Sequence, residues 1–276
     1  MIALLATAVD AERAVDALVV AAHAHRAVRH PYLAALADGS LPDPAAALAD
    51  FAHQYLGYSA HFPRYLTALI SRLENPAHRQ LLLANLTEES GHYEPDELAT
   101  LADCGLQPEW FVGVPHPELF RRFHQAVHGT GDGAAGVLAG VVSQGGEQLE
   151  VVCWREMLLA VLSLGSPAEA VGALGLGTEA IVSAIYPRLL RAIEQQGHLH
   201  PRDTVFFPLH TLVDDAHQAS LREIAIAYAA SEAGRADLAR GMYKALALRD
   251  SFWSWLHERA RSMQPRAGLR PIQAVP

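Results

Sequence analysis

Apolar residues recur every three or four positions along nearly the whole chain, the period of helices that bury one face. No stretch of useful length alternates apolar and polar residues as a half-buried strand does, and no internal repeat is visible. The pattern predicts an all-α protein in one domain, with helices over 7–29, 31–37, 44–73, 76–104, 117–128, 137–164, 168–193, 203–230 and 236–261. Helix punctuation agrees. Asp43-Pro44 and Asn75-Pro76 read as an N-cap followed by a first helical residue, and Gly105 reads as a stop. Residues 168–193, which include Gly172, Gly175 and Gly177, read as one helix or two short ones. The glycine-rich run 130–136 has no strand before it and reads as a connection rather than a phosphate-cradling loop. Residues 1–264 make up the helical domain, and the Pro- and Gly-bearing stretch 265–276 is a tail.

Within 44–73, Phe51, Tyr55, Tyr58, Phe62 and Tyr65 fall four and three residues apart, so one helix face is a row of aromatic rings. Such a stripe reads as core packing before it reads as a cofactor box. Gln54, Tyr55 and Tyr58 nevertheless carry polar ends of the kind that orient ligands in buried pockets.

Composition narrows the function. The 276 residues are 51% hydrophobic, enough for a large core, and the formal charge of -9 argues against a nucleic-acid partner or an anionic membrane surface. Only two cysteines occur, Cys104 and Cys153, so neither a disulfide framework nor a cysteine zinc site is signalled, and a cytoplasmic setting is expected. The first twenty residues lack a basic leader and meet Asp10, Glu12 and Arg13 early, unlike a secretory signal. No uncharged apolar run reaches the roughly 18–20 residues of a spanning helix, so no membrane association is expected. The expected partner is a small molecule, and a homodimer is left open.

The chemistry gathers in Phe-Pro-Leu-His210-Thr-Leu-Val-Asp214-Asp215-Ala-His217. Offsets of 0, 4 and 7 place His210, Asp214 and His217 on one helical stripe roughly 60° wide. With fifteen histidines in the chain, His-x-x-x-Asp-x-x-His should arise by chance only roughly 0.04 times. A solvated polar face is the bland reading. Phe206, Phe207, Leu209, Leu212 and Val213 oppose it by making the helix apolar on most sides, and buried His and Asp then need partners that a metal would supply. Glu89 and His92, three residues apart, can share one face of an earlier helix; one Glu-x-x-His is expected by accident, so this pair is weak alone. Glu88 reads as solvated or as a support to a ligand. Glu179 sits among Leu174, Leu176, Ala180, Ile181 and Ile185 and reads as a buried carboxylate, with Glu147 or Glu150 as substitutes for its role. Three imidazoles and three carboxylates suit two iron ions, or manganese, better than structural zinc.

On Gln54-Tyr55-Leu56, Glu89-Ser-Gly-His92, Glu179 and the His210-to-His217 motif, the chain resembles the haem-oxygenase-like di-metal oxidases, nearest to their 1-undecene-forming fatty-acid decarboxylase branch, from about His30 to Leu256. The resemblance implies a seven-helix bundle holding two Fe(II) ions on Glu89, His92, Glu179, His210, Asp214 and His217, with O2 as co-substrate. It implies oxidative carbon-carbon cleavage or desaturation of a fatty-acid-like or amino-acid-like substrate, with N-oxygenation of an amine as the alternative. Residues around 106–136 exceed that decarboxylase pattern in length, so a fatty-acid substrate does not carry over. A reading of another class is a metal-free thiaminase-like hydrolase or a helical ligand-binding protein, for which Cys153 is the available thiol.

Overall fold

The computed structural model describes residues 2–129 and 147–264, with backbone alone at 2–8 and 213–216. Every regular element among the described residues is helical. The expected connection at 130–136, the first part of the helix expected over 137–164, and the tail 265–276 lie outside the described residues, as does the Asp214 side chain.

The first helices follow the sequence pattern: α1 (Ile2–Ala24) and α2 (Pro31–Asp38), the second capped by His30, whose ring accepts from the Tyr32 amide. The single helix expected over 44–73 is two, α3 (Pro44–Ser59) and α4 (Phe62–Arg72). Pro63 has no amide hydrogen, and its ring would strike the carbonyl one turn back, so the chain turns at Ala60-His61. The helix expected over 76–104 also divides, into α5 (Pro76–Glu89) and α6 (Pro95–Asp103). Gly91 takes a left-handed φ of 88°, its amide closing onto Glu88 at 2.7 Å, and Pro95 starts the next helix.

Further along stand α7 (His116–Gly129) and α8 (Leu149–Leu164). The glycine-bearing stretch is neither one helix nor two but α9 (Pro167–Val171), a π turn (Gly172–Leu176), a 3-10 turn (Glu179–Ile181) and α10 (Val182–Glu194). The short α11 (Pro201–Thr204) precedes two long helices, α12 (Phe206–Ala229) and α13 (Glu232–Ser262). The expected seven helices are therefore corrected to a larger number of shorter segments, cut where Pro and Gly interrupt the hydrogen-bond ladder.

The core runs along α13, where Leu238, Met242, Leu246, Phe252, Trp253 and Leu256 are buried. Against it lies the aromatic stripe: Tyr55 stacks on Trp253 with centroids 6.1 Å apart, and Tyr58 on Trp154 at 3.8 Å. On the other side α13 meets α9 and the π turn backbone to backbone. A Cβ on Gly241 would sit 1.8 Å from the Glu169 carbonyl oxygen, so only glycine allows that approach. The stretch 167–194 is long and apolar enough to cross a membrane, at a mean hydropathy of 1.4, but 89% of that window is buried in this protein's interior, so its apolarity is accounted for by core packing. Cys153 is exposed, as is Cys104.

Candidate metal centre

Four parts of the chain converge on one buried polar seam: the last turn of α5, the start of α7, the 3-10 turn, and the first half of α12. Glu89 closes α5 and is 2% exposed. Beyond it the chain reverses at Gly91, whose carbonyl accepts from the Gly113 amide at 2.8 Å. A Cβ on Gly91 would lie 2.6 Å from the Val114 amide nitrogen, so the two loops are pressed together. That contact delivers His116, the first residue of α7, to Glu89.

Ligand atoms of Glu89, His116 and His210 all lie within 4.8 Å of one another. His116 Nδ1 is 3.1 Å from Glu89 Oε1, and His210 Nε2 is 4.0 Å from the same oxygen. Each imidazole is held by its far nitrogen: His116 Nε2 by the Tyr93 hydroxyl at 2.7 Å, and His210 Nδ1 by the Phe206 carbonyl at 2.7 Å. With protons assigned to those outer nitrogens, donated to the Tyr93 oxygen and the Phe206 carbonyl, both inner lone pairs face the carboxylate. Burial alone would raise the Glu89 carboxyl, but His116, then His210 and His217, outweigh it and hold it down at about 2. Burial pushes His210 down to about 3, with His116 adding to the effect, so its ring is neutral.

These residues fit a metal ion. His116 Nδ1 is buried without a hydrogen-bond partner, 3.1 Å from Glu89 Oε1. A charged carboxylate and two imidazoles form the two-histidine, one-carboxylate donor set that suits Fe(II) with positions left open.

Next to this triad lies a second group. Glu88, the neighbour of Glu89, accepts from His217 Nε2 at 2.9 Å, and Glu179 Oε2 is 4.0 Å from His217 Nδ1. Burial opposes the charge on His217, but Glu88 and then Glu179 raise its pKa to about 9. Burial lifts Glu179 to about 7, against the pull of His217. The 3-10 turn that carries Glu179 follows the π turn, where Thr178 donates to the Ala173 carbonyl at 3.0 Å.

Of the six residues expected from the sequence, Glu89 and His210 stand in the triad, and Glu179 and His217 stand beside it. The Asp214 side chain is not described. His92 is not brought to the group: α5 ends at Glu89, so no shared helix face exists, and His92 is exposed on the turn while His116 lies against the carboxylate. The substitutes Glu147 and Glu150 are also set aside, since both are exposed and Glu147 pairs with Arg155. His116 carried one weak signal, an imidazole flanked by Pro115 and Pro117 at a helix start. Glu88 proves buried, at 9% exposure, and bound to a histidine rather than solvated.

Among curated proteins none matches the chain. Solved structures do. A CADD-like protein of unknown function from Nostoc punctiforme has a TM-score of 0.69 at 16% identity, covering 92% of this chain and 100% of its own. A domain of unknown function with a heme oxygenase-like fold from Shewanella denitrificans scores 0.61 at 15% identity, covering 90% of each chain. A TenA homolog from Pseudomonas syringae pv. tomato scores 0.63 at 14% identity, over 88% of this chain and 91% of that one. These likenesses show the heme oxygenase-like fold. The model of a family described as iron-containing redox enzymes matches residues 49–250, which include both carboxylates of α5, His116, Glu179 and the histidines of α12, and the chain belongs to that family.

Proposed function

We propose that the protein is an O2-dependent non-haem di-iron oxidase acting on a small or aliphatic organic acid. The observation that carries this reading is the triad of buried Glu89, buried His116 and part-buried His210, whose ligand atoms lie within 4.8 Å of one another and whose carboxylate is held charged. These three residues would hold the first ion. Glu179 and His217 would hold a second once His217 gives up its proton, with Glu88 left to support the ring. Iron, when bound, would supply electrons to O2 and so let O2 act as the oxidant of the substrate.

The chain's own residues do the rest. Tyr93 and the Phe206 carbonyl keep both imidazoles turned inward. The cavity beside the triad measures about 30 Å3 and is bounded by Tyr55, Tyr58, Phe62, Val182 and Phe206, an apolar wall that keeps bulk water out. In the metal-free protein Glu179, lifted to about 7 by burial, holds or releases a proton near neutral pH at the edge of that cavity.

Anaerobic titration of the metal-free protein with Fe(II), followed by exposure to O2 in the presence of candidate acids, tests the reading. One tight and one weaker equivalent of iron, and O2 uptake faster than by the same iron free in buffer, are expected. Failure to bind iron, or uptake no faster than free iron, removes the proposal.

A further inference from the structure

The cavity holds a permanent positive charge that the triad does not use. Arg249, in the middle of α13, is 3% exposed and lines the same cavity as Glu89, His116, Glu179 and His210. A guanidinium does not lose its proton in a protein, so the charge stays whatever the pH. Its neighbours are rings. The guanidinium carbon lies 5.5 Å from the centroid of Tyr58 and 5.2 Å from that of Trp154, and Nη2 donates to the Tyr58 hydroxyl at 3.4 Å. Among the described residues no carboxylate oxygen lies within 4.0 Å of it, although Glu179, which lines the same cavity, feels its charge.

The half-buried Arg259, unlike Arg249, has a carboxylate partner. Arg259, for comparison, grips Asp50 with two hydrogen bonds of 2.8 Å at the protein's edge. Burying a guanidinium against aromatic faces recovers part of its lost hydration, and the forked donors still want an anion. The forked geometry matches a carboxylate in two-point contact, and a buried positive charge repels an ammonium group.

We propose that Arg249 is the substrate-binding residue that selects a carboxylic acid: its guanidinium takes the acid's carboxylate beside the Tyr58 hydroxyl, leaving the carbon chain between Arg249 and the triad. The proposal rests on the oxidase reading for the fate of the bound acid, though not for its recognition. A cavity of about 30 Å3 holds little beyond a water-sized species, so an acid enters by displacing side chains and a short chain displaces fewer.

The test uses butyrate, butyramide and butylamine, three probes of one size, on the iron-free full-length protein. Binding is read by calorimetry and by tryptophan fluorescence, since Trp154 stacks on Tyr58 and packs against Arg249. Butyrate should bind more tightly than the amide, and butylamine least. Arg249→Met should weaken butyrate by about tenfold or more and leave the amide unchanged, with Arg249→Lys between, because a point charge replaces a fork. Thermal melts of both variants check folding, and Arg249→Lys keeps the test decisive if Arg249→Met does not fold. No measurable binding of butyrate, equal binding of acid and amide, tighter binding of the amine, or unchanged butyrate affinity in a folded variant each overturns the proposal. Because these readings need no iron, their failure is distinct from failure of the iron and O2 titration, which decides the oxidase reading alone.

Discussion

His116 at the start of α7 and His124 and His128 near its end all stand among other imidazoles, and the two ends differ in what accompanies the rings. At the end of the helix, His53 Nδ1 is 3.3 Å from His124 Nε2, and the rings of His124 and His128 lie 4.3 Å apart, all three half-buried. Among the described residues no carboxylate joins them, and the nearby Asp50 is taken by Arg259. At the start, two rings close on Glu89 with both outer nitrogens fixed, and that is the one group among the described residues whose three ligand atoms come within 4.8 Å. Clustered histidine alone is not a metal centre. The buried charged carboxylate sets the two ends apart, since at the far end too a ring is held by a carbonyl one turn back, His128 Nδ1 on His124 at 2.8 Å.

The sharpest way to break this comparison is to remove the carboxylate. Glu89→Ala should abolish tight iron binding, an effect on the order of 100-fold or more in affinity, while a His124→Gln, His128→Gln double variant binds iron as the parent does. Glu89→Ala also leaves His116 and His210 buried without the anion they face, so a metal-free melt should accompany the titration. Iron bound equally well by both proteins would mean that the centre is elsewhere.

His116→Ala ranks next. Iron affinity should fall by about 10- to 100-fold, because one of three donors is lost while Glu89 and His210 remain. Tyr93, which holds the ring at 2.7 Å, is left without its partner, and a modest loss of thermal stability should follow.

A smaller effect separates the two ends by pH. His124 is held near 4, first by burial and then by His128, His53 and Arg121. Its folded pKa lies below the unfolded value of 6.5, so the unfolded chain takes up the proton first. Stability is therefore lost as pH falls from 6.5 toward 4, and is fully present above that window. Discounted for the partial exposure of the ring, the contribution is about 1 kcal/mol. Urea melts at pH 7.5 and 4.5 should show His124→Gln losing less stability than the parent across that range.

How much of this was legible in the sequence depends on whether a residue's position is set by its own helix. His210 and His217 follow from a helical stripe in an apolar helix, and Glu179 from its apolar neighbours, because local periodicity is enough to bury them. His116 could not be found that way. It reaches Glu89 through a chain reversal that needs Gly91 at φ 88° and a hydrogen bond from Gly113, contacts between loops that no periodicity encodes. The extra helix breaks at Ala60-His61 and Ser90-Gly91 were signalled by Pro63, Gly91 and Pro95, but the apolar pattern ran straight across them.

The smallest expected effect is the most informative about that lesson. His92 stands three residues after Glu89, the spacing that puts two side chains over one another on a helix, and this placed it beside the carboxylate in the sequence reading. That spacing counts only if the helix continues. Ser90 already leaves helical geometry at φ -89°, ψ 4°, Gly91 turns left-handed, and the His92 amide folds back onto the Thr87 carbonyl at 3.3 Å, closing the end of α5. The His92 side chain is exposed, where an imidazole gains nothing from a buried carboxylate. His92→Ala should therefore leave iron affinity and folding stability within about 0.5 kcal/mol of the parent, the range of surface substitutions. A loss of iron comparable to that of His116→Ala would mean that the turn rearranges to bring His92 inward when metal binds, and would restore the ligand assignment that the helix end removes.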